Sequence, residues 1–288
     1  TLYQVPLLLE KEGLCAVVCR KLGLGSGVPD MTEWQAMVEK ILGAHRRVEI
    51  ALVGKYTGLH DAYLSVAESL FHAGTACDAK VDIRWVDSET LTEENAAQML
   101  AGCGGVLVPG GFGDRGIEGM IAAARYAREN RVPYLGICLG MQIAVIEFAR
   151  HVAGWDDADS TEFTTRTAHP VIDLMPEQVG VTAKGGTMRL GRYPCVLAEG
   201  SRARAAYGTA EVFERHRHRY EFNNQFRTEL EEAGLRLSGL SPDRQLVEIV
   251  EEPGHPWFVG CQFHPEFLSR PDRPHPLFWG FVAAALEK

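Results

Sequence analysis

Residues 132–142 read VPYLGICLGMQ, and this stretch decides the fold of the chain. The apolar residues before Cys138 predict a buried strand, and residues 139–151 have the apolar spacing of a helix that begins directly after it. A strand that passes into a helix within one residue needs a tight turn, and Gly136 and Gly140 leave room for one because they carry no Cβ atom. The stretch therefore predicts a strand, a turn that carries a cysteine, and a helix.

The same alternation of apolar strands and amphipathic helices extends on both sides of this stretch. Strands are predicted at residues 48–53, 81–86, 105–108 and 132–137, and helices at residues 62–71, 93–100, 117–129 and 139–151. Strands that are separated by helices of this length indicate a parallel sheet with helices on both faces. The expected fold class is therefore α/β, with a doubly wound and mostly parallel sheet.

The last third of the chain has a different pattern of apolar segments. Its apolar segments follow one another without long helices between them, at residues 207–213, 235–239, 246–251 and 257–261. This pattern predicts antiparallel strands that are added to the sheet, followed by a final helix at 276–286.

The first 47 residues form a separate unit in this interpretation. Helical segments are broken by a cluster of Gly, Ser, Pro and Asp between residues 23 and 30, which is typical of a linker. A second short helix is expected from Thr32 to Gly43. The chain begins with Thr1 rather than Met, so we expect a processed chain or a piece of a longer one, with one main domain at 48–288.

Composition excludes several classes of protein. The 288 residues carry 29 Lys and Arg against 38 Asp and Glu, and the net charge of −9 argues against a nucleic-acid binder. No apolar run approaches the roughly 20 residues of a membrane-spanning helix, and no signal peptide is visible. The seven cysteines include no Cys-x-x-Cys pair, which supports neither a metal site nor a disulfide framework. We expect a reduced, cytoplasmic, soluble protein.

Cys138 is the first candidate for chemistry. Its Gly-x-Cys-x-Gly turn matches the nucleophile elbow of serine hydrolases with cysteine in place of serine. At the start of a helix, the partial positive charge favours the thiolate, which is the nucleophilic form. The alternative is a small buried side chain between two packing glycines.

His264 and Glu266 are candidates for the partners of that thiolate. They follow the strand predicted at 257–261, and the carboxyl ends of strands are where open α/β sheets place their sites. An imidazole can accept the thiol proton while a carboxylate fixes its tautomer. The alternative is a proline-containing exit loop with two solvated side chains.

A glycine cluster at Pro109–Gly113 follows the strand that precedes the elbow. The backbone N–H of Gly111, together with that of Leu139, is suited to stabilise a developing oxyanion. A phosphate cradle is the alternative, but no Gly-Lys-Ser/Thr follows the cluster.

These three elements resemble the signatures of class I, triad-type glutamine amidotransferases, whose fold is flavodoxin-like. Further motifs narrow the resemblance to the CTP synthase family, over residues 1–288. They lie at residues 53–56, 114–120, 130–142, 160–163, 185–191 and 214–224. By this resemblance, residues 1–47 are the end of an amidoligase domain and its linker.

The resemblance implies a reaction in which Cys138, His264 and Glu266 hydrolyse L-glutamine through a glutamyl thioester. Glutamine contacts carry over to one set of residues: Gly111, Leu139, Gly140, Met141, Gln142, Glu162 and Arg219. A carboxylate suits the α-ammonium group of glutamine, and amide and guanidinium groups suit its other polar groups. The arginines of residues 215–219 are assigned to this site or to a basic strand, not to nucleic-acid binding.

The resemblance also implies partners beyond this chain. In the family, GTP activates glutamine hydrolysis, and the ammonia aminates UTP that ATP has phosphorylated, with Mg²⁺, in the amidoligase domain. Phe112 and Arg115 are the residues assigned to GTP, and a homotetramer is expected for the full-length protein. Asp114 departs from the family pattern, in which a neutral or aromatic residue is expected. Three alternatives remain at this point: another triad amidotransferase, a γ-glutamyl hydrolase of the same fold, and a non-catalytic assembly module.

Overall fold

The computed structural model describes residues 1–25, 27–164, 166–175 and 188–288 of the chain. Residues 185–187 of the motif at 185–191 lie outside the described residues. The strands are β1 (Arg46–Gly54), β2 (Ala79–Asp87), β3 (Gly105–Val108), β4 (Tyr134–Ile137), β5 (Asp159–Ser160), β6 (Pro170–Leu174), β7 (Arg189–Leu197), β8 (Glu211–His218), β9 (Tyr220–Phe222), β10 (Arg236–Leu240), β11 (Val247–Glu251) and β12 (Phe258–Cys261). The helices are α1 (Val5–Lys11), α2 (Leu14–Leu22), α3 (Thr32–Gly43), α4 (Leu64–Ala76), α5 (Glu93–Met99), α6 (Ile117–Glu129), α7 (Leu139–His151), α8 (Arg202–Tyr207), α9 (Arg227–Glu232) and α10 (Pro276–Leu286).

The main sheet has two halves that share strand β12. Its strand order in the described residues is β2-β1-β3-β4-β12-β11-β10-β7-β8. Neighbouring strands from β2 to β12 are parallel, and those from β12 to β8 are antiparallel. A smaller sheet has the order β5-β6-β9. The predicted fold class, a mostly parallel sheet with added antiparallel strands, is confirmed.

Helices cover both faces of the sheet. Along β1, Ile50 and Leu52 pack on one face with residues of α4 and α10. Ala51 and Val53 pack on the other face with residues of α5, α6 and α7. A strand that is covered on both sides has no solvent face, which explains why residues 50–53 of β1 are a continuous apolar run rather than an alternating one.

The predicted positions of the elements in the parallel half are close to the observed ones. The helix predicted at 62–71 begins at Leu64 and continues through Gly74 to Ala76, so Gly74 does not end it. Gly74 is needed for packing instead, because a Cβ atom there would lie 2.8 Å from the carbonyl oxygen of Ala79. The strand predicted at 132–137 begins at Tyr134, after the proline at position 133.

The largest error lies in the antiparallel half. The strand predicted at 207–213 is wrong at its start, because Tyr207 is the last residue of α8 and β8 begins only at Glu211. Gly208 ends the helix with a φ of 70°. Strand β7 and helices α8 and α9 are absent from the prediction. The final helix at 276–286 is confirmed.

The first 45 residues are mostly helical, as predicted. Tyr3 joins this segment to α4, because its hydroxyl group donates to Glu68 at 2.9 Å and lies 3.0 Å from Nε2 of His72. The ring of Tyr3 stacks on Phe71. Of the described helices, none has the length and apolar content needed to cross a bilayer.

Candidate active site

Cys138 lies at the turn between β4 and α7 in a backbone conformation that side chains rarely adopt. Its φ is 52° and its ψ is −100°. The turn is held by a hydrogen bond of 2.7 Å from the Cys138 N–H to the carbonyl of Cys261. It also requires Gly140, because a Cβ atom there would lie 2.0 Å from the carbonyl oxygen of Val108. A strained backbone at a reactive side chain is a common property of catalytic turns.

The sulfur of Cys138 lies at the N-terminus of α7 and has polar neighbours. The residue precedes the first turn of α7, where the backbone N–H groups have no partner within the helix and carry partial positive charge. The side chain is buried. Its sulfur lies 3.9 Å from the carbonyl oxygen of Arg217 and 3.6 Å from Nε2 of Gln262.

His264 and Glu266 form the predicted pair. Nδ1 of His264 lies 2.7 Å from Oε1 of Glu266, and both side chains are largely buried. The contact fixes Nδ1 as the donor, so Nε2 faces away from the carboxylate. Among the described residues, Nε2 has no hydrogen-bond partner. The ring of Phe267 stacks on the imidazole at a centroid distance of 5.2 Å.

Cys138 and His264 meet at Gly110. A Cβ atom on Gly110 would lie 2.9 Å from Cε1 of His264 and 3.6 Å from Cβ of Cys138, so both side chains approach the same backbone. Burial disfavours the charged imidazole, but the Cys138 sulfur and the Glu266 carboxylate more than offset it, and the pKa of His264 is raised. The imidazole of His264 is therefore suited to take up a proton beside the sulfur.

The predicted oxyanion donors, Gly111 and Leu139, lie near the nucleophile. The N–H of Leu139 belongs to the first turn of α7. Gly111 approaches Leu139 closely, since a Cβ atom on Gly111 would lie 3.2 Å from Cδ2 of Leu139. The two backbone N–H groups therefore belong to neighbouring turns beside Cys138.

Buried polar contacts hold the glycine loop in place. Nζ of Lys55 donates to the carbonyl of Phe112 at 3.1 Å and to that of Gly113. Oε1 of Glu162 accepts from the N–H of Gly113 at 2.8 Å. Burial lowers the pKa of Lys55 to about 8, and the positive charge of Arg115 acts in the same direction. Sequence reasoning assigned Lys55 no role, although the position of this cation directly after β1 is the signal that points to it.

A cavity of about 260 Å³ opens above the cysteine. It brings together five of the predicted residues: Gly111, Phe112, Cys138, His264 and Glu266. Arg217 also lines it, with its guanidinium group 5.9 Å from the centroid of the Phe112 ring. The cavity is large enough for an amino acid side chain and has the reactive sulfur in its wall.

Three other predicted residues, Gln142, Glu162 and Arg219, lie near Tyr220 rather than in the lining of this cavity. Nε2 of Gln142 donates to the carbonyl of Tyr220 at 3.0 Å. Burial raises the pKa of Tyr220, Glu162 raises it further and Arg219 lowers it, so both charges act on this tyrosine. Glu162 and Arg219 therefore lie close to the backbone segment that contacts Gln142.

Two of the predicted glutamine contacts, Gly140 and Met141, offer backbone atoms rather than a side chain. The carbonyl of Gly140 accepts from the Tyr134 hydroxyl group at 2.7 Å. The Met141 side chain belongs to the apolar core. Its Cα lies 2.9 Å from where a Cβ atom on Gly260 would be. Met141 can therefore present only its backbone to a ligand.

Arg115 is engaged within the chain. It forms an ion pair with Glu89, donates to the carbonyl of Lys55 at 3.0 Å and lies over the ring of Tyr56. Phe112, the other residue assigned to GTP, is exposed at the mouth of the cavity. In the described part of the chain, no group of three or more His, Cys, Asp or Glu residues is arranged to hold a metal ion.

The comparisons with known proteins agree with this geometry. The family model of class I glutamine amidotransferases matches residues 59–284. The fold, with a cysteine at the elbow and a His–Glu pair directly after the neighbouring strand β12, is the one that this class would require. The chain belongs to the class I glutamine amidotransferase family.

Similar proteins define the branch of that family. The chain is 60% identical to a CTP synthase of Chloroflexus aurantiacus over 287 residues, which is 100% of this chain and 53% of that protein. It is 58% identical to a CTP synthase of Geobacillus kaustophilus, over 100% of this chain and 54% of that protein. The glutaminase domain of Trypanosoma brucei CTPS, solved with bound acivicin, is 42% identical with a TM-score of 0.78, over 84% of this chain and 94% of that one.

The chain therefore has the glutamine amidotransferase domain of the CTP synthase type. It spans about half the length of the curated relatives that it matches.

Proposed function

We propose that this chain hydrolyses L-glutamine to glutamate and ammonia with Cys138, His264 and Glu266 as its catalytic residues. The observation that carries the proposal is the approach of Cys138 and His264 to Gly110 in the wall of one cavity, with Glu266 bonded to the far side of the imidazole. Each of the three groups then has the contact that nucleophilic catalysis needs.

The reaction begins when the sulfur of Cys138 attacks the side-chain amide carbon of glutamine. The thiol proton moves to Nε2 of His264, which the structure leaves without another partner in the described residues. The protonated imidazole then donates this proton to the amide nitrogen, the C–N bond breaks, and ammonia leaves. Water then attacks the carbon of the glutamyl thioester and gives up a proton to the same nitrogen. The C–S bond breaks, glutamate leaves, and the sulfur of Cys138 takes the proton back from His264.

Two backbone N–H groups stabilise the charge on the carbonyl oxygen during both steps. We assign this role to Gly111, which lines the same cavity as the cysteine, and to Leu139, which follows the cysteine in the chain. A donor of this kind contributes about 3–4 kcal/mol to transition-state stabilisation in enzymes where it has been removed.

The remaining contacts bind the amino acid end of glutamine. Glu162 is assigned to the α-ammonium group and Arg219 to the carboxylate, with Gly140 and Met141 contributing backbone groups. Both hydrogens of the Gln142 amide already have protein acceptors, in Tyr220 and Gln262, so its Oε1 is the atom that can accept from glutamine. The relative that was solved with bound acivicin supports a glutamine-type ligand for this domain.

The CTP synthase relatives support a wider role. We infer that the ammonia serves the ATP-dependent amination of UTP to CTP in an amidoligase domain, where ATP and Mg²⁺ bind. Residues 1–47 are assigned to the end of that domain and its linker, and 48–288 to the glutaminase. Helices α1 and α2 expose apolar side chains such as Leu8 and Val18, as expected of a segment that packs on further chain. GTP as activator, with Phe112 and Arg115 as contacts, and a homotetramer complete the proposal.

Replacing the nucleophile tests the central step. Cys138→Ala is expected to reduce glutamate release from glutamine by at least about 10³-fold, because no other group can form the thioester. The matched control is Cys103→Ala, another buried cysteine, whose pKa is raised by burial and which lies outside the cavity. Unchanged glutamate release by Cys138→Ala would refute the triad and favour a non-catalytic module.

A further inference from the structure

Gln262 is buried directly beside the nucleophile. It follows β12, and its side-chain Nε2 lies 3.6 Å from the sulfur of Cys138, which is within hydrogen-bond distance for sulfur. Its Oε1 lies 3.2 Å from Nε2 of Gln142. A side-chain contact to the reacting atom therefore exists in addition to the three residues of the triad.

The orientation of the Gln262 amide follows from its neighbours. The carbonyl of Tyr220 can only accept, so the atom of Gln142 that lies 3.0 Å from it is the nitrogen. That nitrogen also faces Gln262, which must therefore present its oxygen to Gln142. The remaining atom of the amide, the nitrogen with its two hydrogens, then points at the sulfur.

The two polar neighbours of the sulfur have opposite effects on it. The carbonyl of Arg217, at 3.9 Å, can accept a hydrogen bond from the thiol but cannot donate one to the thiolate. The N–H of Gln262 donates and so favours the thiolate. The charged groups that face Cys138 are His264, Glu266 and the guanidinium of Arg217, together with the N-terminus of α7.

We propose that Gln262 is a further catalytic residue, which stabilises the thiolate of Cys138 by donating its amide N–H to the sulfur. Gln142 keeps the amide turned in the productive direction. Gln262 transfers no proton: the thiol proton still goes to His264, and the hydrogen bond is restored when the sulfur leaves the thioester. This inference rests on the proposed glutamine hydrolysis and adds a donor to its nucleophile.

The test measures how readily Cys138 ionises, in the absence of glutamine. Cys138 is alkylated with iodoacetamide over a range of pH in the full chain, and the modified peptide is quantified by mass spectrometry. Loss of one charge-assisted hydrogen bond is expected to change the ionisation constant of the thiol about tenfold, which is about one pKa unit. Gln262→Met is therefore expected to raise the pH of half-maximal alkylation by about one unit and to lower kcat/KM for glutamine about tenfold. Gln98→Met, on the exposed surface of α5, is the control and should match the parent.

A second variant separates the loss of the hydrogen bond from a change in side-chain packing. Gln262→Glu keeps the shape of the side chain and the acceptor for Gln142, but its ionised form has no N–H to donate. We expect slower alkylation at pH 8 than in the parent, with the thermal unfolding midpoint measured beside it. If both variants alkylate with the parent's pH dependence and keep kcat/KM within twofold, Gln262 has no catalytic role. Absence of glutamine hydrolysis by the parent chain would instead overturn the proposed function, whereas the alkylation result needs no glutamine.

Discussion

The parallel half of the main sheet and its antiparallel half are stabilised by different interactions. In the parallel half, apolar strands and helices pack so closely that glycines are required, as at Gly140. In the antiparallel half, a buried polar network links β7, β8 and β11. Arg189 pairs with Glu248 at 2.8 Å and lies 3.3 Å from Nδ1 of His216.

This difference matches what each half contributes to the site. The parallel half presents backbone groups and a cysteine at its strand ends, which requires close approach of one turn to another. The antiparallel half presents charged side chains. Along β8, His216 and His218 point into the protein, while Arg217 between them lines the cavity. The polar network therefore anchors the strand that brings a guanidinium to the cysteine.

Removing one partner of the buried ion pair should have the largest effect. The Glu248 side chain is 0% exposed and that of Arg189 is 8% exposed. Glu248→Gln leaves a buried guanidinium without its countercharge, which typically costs about 3–5 kcal/mol. Urea unfolding measures the change, with the exposed Glu211→Gln on β8 as the control. A loss below about 1 kcal/mol would show that the antiparallel half does not depend on this pair.

A single methyl group tests the close packing of the parallel half. Gly140→Ala would place a Cβ atom 2.0 Å from the carbonyl oxygen of Val108, so β3 and α7 must separate. We expect a loss of about 3 kcal/mol, at the upper end for overpacked cores, together with loss of glutamine hydrolysis. Gly43→Ala at the end of α3 has no neighbour within 4 Å and is the control. Stability equal to that of the control would contradict close packing at the elbow.

The two halves also differ in how far sequence predicts them. In the parallel half each element is a local pattern, and Cys138, His264 and the Pro109–Gly113 loop follow strands whose carboxyl ends must share one edge. In the antiparallel half, β7 combines Gly191 and Pro194 with charged residues, and its strand state is stabilised by pairing with β8 rather than by its own pattern.

Long-range contacts between side chains are the part that no local pattern contains. Gln262 reaches Cys138 across 124 residues, and Lys55 reaches the Phe112 carbonyl across 57. Lys55 lies within the motif at 53–56 and Gln262 lies two residues before His264, but the role of each depends on which two strand ends the fold brings together. The triad could be proposed from spacing because its members occupy strand ends, whereas a supporting donor has no such signature.

A buried histidine of the antiparallel half, His218, predicts a loss of stability in acid. Burial lowers the pKa of His218 to about 3, and the charges of Arg189 and His264 act in the same direction, while its bond to the Tyr220 carbonyl opposes them. The unfolded chain has the ordinary value of about 6.5, so it binds the proton first as the pH falls. The contribution of His218 is complete above pH 6.5 and is lost between 6.5 and about 3, amounting to about 2 kcal/mol between pH 7 and 5.

His218→Gln is the variant that checks how steeply the free energy of unfolding changes with pH. It has no titrating group, so its free energy of unfolding should fall less steeply than that of the parent between pH 7 and 5. The exposed His45→Gln is the control, because it removes a histidine that is not buried. Parallel pH profiles for His218→Gln and the parent would contradict the assignment of a neutral, buried ring.

An ion pair in the parallel half should have the smallest effect. Arg47 on β1 and Asp82 on β2 lie 3.1 Å apart, close to the separation of Arg189 and Glu248, but their side chains are 67% and 53% exposed. Water screens such a pair, and Arg47→Ala should cost at most about 0.5 kcal/mol, with no measurable change in glutamine hydrolysis. Urea unfolding at low and high salt checks both the size and the screening. The distance is nearly equal in the two pairs. A small loss of unfolding free energy in Arg47→Ala beside a large one in Glu248→Gln would therefore assign the difference to burial. Similar losses in the two variants would remove the distinction between the two halves.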